Sequence, residues 1–334
     1  MPALLAASVH AAPTCPPGRP RLIIYHAGSL SAALKPVESL FEQRSGVCIV
    51  DVAGGSVQAA RDVTAGGMPC DIYASADDQV IERMLKPAKF ADWTIRFAEG
   101  AMVLAYRTTS QGAATIAAPG TPFDPPRAVP DAAADWALQL TQAGVVVGGS
   151  HPFLDPGGYR ADMIFQLAQA TAAKPNLYGT LLGHYAITKA GDRLGQNFDY
   201  QFIYEHSALA AALADTTGSY RYVHLPDEVN LGASRPDLHY ERAAVTMPGL
   251  QAPALAPLVT MPATRVTWGL TVLNTAPHRE QALAFLALLF SPEGAALQAG
   301  AGPAPISPPV ASAQDHVLLP AALQPLVRAR PTIP

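Results

Sequence analysis

Two short turns carry the side chains best suited to holding a ligand. Arg21-Leu-Ile-Ile-Tyr-His-Ala-Gly-Ser-Leu30 reads as a buried strand that ends in Gly28-Ser29 and passes into helical periodicity. Asp51-Val-Ala-Gly-Gly-Ser-Val57 repeats the pattern with Ser56 at the same point. A helix N-terminus leaves backbone N–H groups without internal partners and carries the positive end of the macrodipole. A serine there adds a hydroxyl donor, so two such turns on one sheet edge predict an oxyanion pocket. The ordinary alternative is that Ser29 and Ser56 only cap their helices. Asp155-Pro-Gly157 is a third polar turn, read either as part of the site or as a helix cap. Tyr204 ends the strand Tyr200-Gln-Phe-Ile-Tyr204, as a cleft donor or as a surface tyrosine with a solvated hydroxyl. His26, His151 and His206 flank these turns but read as surface or core histidines, so no metal cation is expected. Arg160 reads as the partner of a carboxylate.

The elements that position these residues alternate. Strands at 22–25, 48–52 and 71–75 are each followed by a helix, the third at 79–85, which predicts a mainly parallel sheet. Leu30, Leu34, Val37, Leu40 and Phe41 fall on one helical face, with Pro36 expected in the first turn. Residues 112–130, rich in Pro, Gly and Ala, read as a connector or rim. The pattern then repeats through Val145-Val-Val-Gly-Gly-Ser150 and the helix through Met163, Leu167 and Ala170. Arg265-Val-Thr-Trp-Gly-Leu-Thr-Val-Leu273 returns as a strand, and the segment from Pro303 reads as a wrap or loose end. The chain therefore divides into a flexible start (1–20), one lobe from 21–103 with 264–334, and a second lobe from 104–263.

The 334 residues suffice for two lobes, and 49% hydrophobic against 14% charged residues excludes extensive disorder. A net charge of −4 argues against a general nucleic-acid or anionic-membrane binder. Met1-Pro-Ala-Leu-Leu-Ala-Ala-Ser-Val-His-Ala-Ala12 resembles the tail of a signal peptide, or a disordered alanine-rich tail, and points to a periplasmic or extracytoplasmic protein. Cys15, Cys48 and Cys70 allow at most one internal disulfide, from Cys15 to either Cys48 or Cys70.

His26-Ala-Gly-Ser-Leu30, Ala53-Gly-Gly-Ser-Val57 and Asp71-Ile-Tyr-Ala-Ser-Ala-Asp77 together resemble the extracytoplasmic molybdate/tungstate-binding proteins of ABC importers. Ala91-Asp-Trp93, Met102-Val-Leu-Ala-Tyr106, Ser150-His-Pro152, Gly158-Tyr-Arg160, Leu225-Pro-Asp-Glu-Val-Asn-Leu231 and Ser291-Pro-Glu-Gly294 continue the series in order. The resemblance implies an α/β periplasmic-binding-protein fold of the second type, with its ligand between two lobes. It implies a site of Gly28, Ser29, Ser56, Asp155, Pro156, Gly157 and Tyr204 around a small oxyanion, molybdate or tungstate. The archaeal-type members add two carboxylates to the metal of the anion. Asp155 matches the first, as a possible ligand to that metal, and Ala186 falls where the second, a glutamate, should lie. The family cysteine in the turn is Gly157 here. An oxyanion held by hydrogen bonds alone, or an organic anion in the same fold, are the readings left open.

The resemblance also implies an ABC permease as partner, no nucleic acid, no cofactor and a monomer. Charge-assisted hydrogen bonds contribute roughly 1.5–3 kcal/mol each, so half a dozen reach a nanomolar Kd, about −12 kcal/mol. An enzyme using Ser29 with His26 as nucleophile and base is the alternative of another class. No GxSxG, HExxH or Walker sequence is present, and no enzymatic activity is expected.

Overall fold

Strand and helix alternate from the first described residues onward, in a computed structural model that describes residues 15–118, 131–235, 237–251 and 257–330. The suggested signal segment falls mostly outside them, as does much of the 112–130 connector. In chain order, β1 (Arg21–Ala27), β2 (Cys48–Gly54), β3 (Ile72–Ser75) and β4 (Ile95–Gly100) come first. Next are β5 (Met102–Arg107), β6 (Val147–Gly149), β7 (Tyr185–Ile187), β8 (Tyr200–Tyr204) and β9 (Tyr220–His224). Then come β10 (Ala244–Pro248), β11 (Leu258–Pro262), β12 (Val266–Val272), β13 (Ala304–Ser312) and β14 (Arg328–Arg330).

Seven strands form one sheet in the order β14-β13-β4-β12-β3-β1-β2, and five form another, β7-β6-β8-β5-β9. β1 runs parallel to β2 and β3, whereas β12 is antiparallel to both β3 and β4. The larger sheet takes strands from both ends of the sequence, and the smaller sheet takes the middle. The chain leaves the first at Gly100, enters the second at Met102 and returns at Val266. Gly100 pairs with Val266, so the two crossovers stand side by side. Such a pair of adjacent connections is the architecture of a hinge between two lobes.

Register explains the position of the turns. Ala27 pairs with Gly54, so β1 and β2 end level and deliver Ser29 and Ser56 beyond the same sheet edge. Behind them α1 (Ser31–Ser45) buries Leu34, Val37 and Phe41, with Phe41 meeting Phe285 edge-on at 5.4 Å. In the smaller sheet Phe165 packs edge-on against both Phe202 and Tyr185. Losing one such buried aromatic ring costs about 3–5 kcal/mol.

Several expectations need correction. Pro36 is the sixth residue of α1 rather than part of its first turn, and the α-helix continues around it. Its missing N–H leaves the Ala32 carbonyl without the usual helical partner. The third helix begins at Asp78 and passes into a wider π turn, Ile81–Leu85. Of the two readings of the segment from Pro303, a wrap or a loose end, the second fails: β13 pairs with β4, and a register shift between Pro305 and Val310 takes up residues that cannot donate to a ladder. β14 then extends the sheet edge. Of the two disulfides left open, Cys15–Cys48 is present, with Cα atoms 5.8 Å apart. Cys70 is a buried free thiol whose pKa burial raises.

Candidate functional site

The two serine turns meet the smaller sheet along a continuous ring of contacts. Neither serine caps a helix, contrary to expectation. Gly28–Leu30 is a single 3₁₀ turn preceded by Ala27, and α2 (Ser56–Val63) is preceded by Gly55, with no side-chain cap on either. The hydroxyl oxygens are engaged elsewhere. Trp268 Nε1 donates to Ser29 Oγ at 3.1 Å, and the Ala76 N–H donates to Ser56 Oγ at 3.0 Å.

Tyr204 joins them from β8. It is buried rather than solvated, and Arg160 donates through Nη1 to its phenolic oxygen at 2.8 Å. The same Nη1 donates to the Ala76 carbonyl at 2.7 Å, linking the two lobes. Tyr204 meets Trp268 edge-on at 4.9 Å and stacks with His206, whose Nε2 donates to the Ser29 carbonyl at 3.0 Å. Burial raises the Tyr204 pKa against the pull of Arg160, so the phenol stays protonated.

Ser29, Ser56 and Tyr204 therefore share one electronic arrangement. Each oxygen already accepts from an N–H, and no described residue accepts any of the three protons. The Ser56 and Val57 N–H groups that open α2 likewise have no partner among the described residues. A set of neutral donors of this kind suits an anion, because each hydroxyl keeps its proton free while an N–H already bonds to its oxygen.

Asp155 proves to be a cap. It precedes the helix Pro156–Ala172, accepts from Gly157 N at 2.8 Å and accepts from the Ser150 hydroxyl at 2.8 Å. Burial raises its pKa against those two bonds. Pro156 takes the first helical position and is buried. Gly28 lies exposed at its turn. Ala186 is exposed on edge strand β7, and no recorded contact joins it to the other candidates. Its neighbour Tyr185 is the residue that turns toward this region, donating to the Ser150 carbonyl at 2.7 Å.

Arg160 and Asp77 are the charges beneath the ring, and the expectation for Arg160 holds in part. It is 1% exposed and its Nη2 lies 3.5 Å from Asp77 Oδ1, while Tyr159 donates to Asp77 Oδ2 at 2.6 Å. Burial opposes the guanidinium charge, yet the Tyr204 and Asp77 oxygens outweigh it and raise the pKa. Arg160 also orients Tyr204, a role that sequence reading missed. Trp268 and Tyr185 carry no local signal of their roles, and His206 shows only its place beside a turn, since each acts through partners distant in sequence.

The lobes touch closely at α2. Gln58 N donates to the Leu154 carbonyl at 3.0 Å, and Arg61 donates to the Phe153, Pro248 and Gly249 carbonyls. A Cβ on Gly55 would stand 2.6 Å from the Leu154 carbonyl oxygen, a backbone atom that cannot swing aside. Gly55→Ala is therefore expected to block this approach and to weaken ligand binding by about tenfold or more, the scale of a 1.4 kcal/mol loss. Titration calorimetry checks it, and unchanged affinity would mean that binding does not need this contact.

His206 supplies a pH prediction. Burial lowers its pKa below the ordinary 6.5, despite the Ser29 carbonyl and Glu205. The folded state thus prefers the neutral ring. Its contribution is complete above 6.5 and is lost as pH falls through the lower folded value. Urea unfolding between about pH 7.5 and about pH 5 should show a stability loss that His206→Asn reduces.

Two lobes on a double crossover, with polar turns facing each other, define a binding protein of the type II periplasmic class. The chain belongs to the family of bacterial extracellular solute-binding proteins, matched over residues 22–302, which bind solutes rather than transform them. It is 29% identical to an uncharacterized solute-binding protein of Petrotoga mobilis, covering 86% of this chain and 84% of that one. It is 31% identical to the molybdate/tungstate-binding protein WtpA of Pyrococcus abyssi, covering 82% and 81%. The sulfate-binding protein SubI of Mycobacterium tuberculosis shares the fold, with a TM-score of 0.58, 18% identity and 91% and 92% coverage.

Proposed function

We propose that this protein is an extracytoplasmic receptor that holds a tetrahedral oxyanion, molybdate or tungstate, between its lobes and delivers it to an ABC permease. One observation carries this reading. The Ser29, Ser56 and Tyr204 oxygens each accept one N–H and donate to no described residue, which leaves three O–H donors for an anion. The likeness to WtpA supplies the ligand class.

Asp155 accepts from Ser150 and Gly157 through Oδ1, and position 186 carries no second carboxylate. Without that second carboxylate the reading is of an anion held four-coordinate, by hydrogen bonds. Three hydroxyls and two N–H groups at roughly 1.5–3 kcal/mol each leave a surplus over ordering costs that suits a micromolar to nanomolar Kd. The ligand favours the closed lobes by its differential affinity for them, and the permease reads that closed surface of a monomer. The Cys15–Cys48 disulfide suits an oxidising compartment outside the cytoplasm.

Calorimetric titration of folded, ligand-free protein with molybdate, tungstate, sulfate and phosphate tests the reading. Tight one-to-one binding of the first two is expected. An organic anion in the same fold is the second reading, since position 186 carries no carboxylate, and no heat from any of the four would select it.

A further inference from the structure

His26, Glu38 and Asp51 form a cluster between β1, α1 and β2 that the oxyanion site does not use. His26 is fully buried, Glu38 is 1% exposed, and the Asp51 side chain is 24% exposed. One possible ligand atom from each lies within 4.8 Å of the others. His26 Nδ1 stands 2.8 Å from the Ala27 carbonyl oxygen, which can only accept, so that nitrogen carries a proton. Nε2 therefore faces the carboxylates, 2.5 Å from Asp51 Oδ1. An imidazole tied through one nitrogen to a backbone carbonyl, with the other aimed at carboxylates, has the orientation of a metal-binding histidine.

Glu38 is the independent sign that a ligand belongs here. Both carboxylate oxygens are buried and neither has a hydrogen-bond partner in the described structure. The Lys35 ammonium stands 3.6 Å from one of them, on a largely exposed side chain. Burying a carboxylate without hydrogen bonds is costly. A proton on His26 Nε2 serves Asp51 and leaves Glu38 without a hydrogen bond, with only the Lys35 ammonium at 3.6 Å. A divalent cation touching all three groups gives each a partner and neutralises both carboxylates.

We propose that His26, Glu38 and Asp51 bind a divalent transition-metal ion of the zinc class, at a site separate from the oxyanion cleft. One imidazole nitrogen with two carboxylate oxygens suits zinc better than calcium or magnesium, which take oxygen ligands. Ligand atoms around tetrahedral zinc stand about 3.4 Å apart. The cluster reaches this spacing by opening the His26–Asp51 contact and drawing Glu38 inward. The partial exposure of Asp51 provides entry. The bound ion ties β1, β2 and α1 together beneath the Gly28-Ser29 turn.

The test is calorimetric titration of the chelator-stripped full chain with zinc chloride alone, alongside Glu38→Gln and Asp51→Asn proteins shown to be folded by circular dichroism. One equivalent of zinc should bind with a micromolar or tighter Kd and raise the unfolding temperature. Each substitution should weaken binding by about tenfold or more. His239→Gln, at an exposed histidine outside the cluster, should leave binding unchanged. No zinc uptake by the folded protein, or uptake equal in both variants, overturns the assignment. Asp51→Asn alone decides the matter if Glu38→Gln does not fold.

Discussion

Ser29→Ala with Ser56→Ala is expected to lower oxyanion affinity by about two to four orders of magnitude. In the proposed site each hydroxyl would donate one bond to a charged ligand, worth roughly 1.5–3 kcal/mol, so the double substitution removes roughly 3–6 kcal/mol. Both substitutions also act on the fold. Ser56→Ala leaves the buried Ala76 N–H without its acceptor, a loss of about 1–3 kcal/mol in stability. Ser29→Ala likewise leaves the indole N–H of the fully buried Trp268 without its acceptor and should cost a similar amount. Calorimetry on each single variant separates binding from stability. A double variant that still binds within threefold of the parent would remove the hydroxyls from the site.

Arg160→Met should give the largest loss of stability, about 3–5 kcal/mol by urea unfolding. The substitution keeps most of the volume but removes the cation beside Asp77, whose side chain is only 3% exposed. It also removes the bonds to Ala76 and Tyr204 that join the lobes. Asp77→Asn should cost less, because the guanidinium keeps the Ala76 and Tyr204 oxygens as partners. If Arg160→Met costs under about 1 kcal/mol, the buried pair does not hold the lobes as described.

Much of this arrangement is legible in local sequence. Apolar runs ending in Gly-Ser locate both turns, and an Asp before Pro-Gly-Gly marks the start of a helix at Asp155. The serine roles are not legible there, because their partners are remote. Trp268 reaches Ser29 across 239 residues, and Ala76 reaches Ser56 only through the pairing of distinct strands. A local motif predicts a cap where tertiary contacts supply a different bond.

Faces are lost in the same way. Successive residues of a strand point to opposite sides, so the step from Ala186 to Tyr185 decides which one turns toward Ser150. Proline density made β13 read as a tail, because pairing with β4 on either side of a shifted register is a property of the sheet. His26 drew notice beside its turn, yet Glu38 and Asp51 join it only once α1 packs over β1 and β2.

The central claim is that a tetrahedral oxyanion lies between the lobes on the Ser29, Ser56 and Tyr204 hydroxyls. A crystal grown with tungstate tests it most directly, since the anomalous signal of tungsten locates the anion without assumption. The account predicts one strong site with anion oxygens within hydrogen-bond distance of all three hydroxyls. Full-strength tungsten bound elsewhere, or a closed cleft occupied by a different solute, would contradict it.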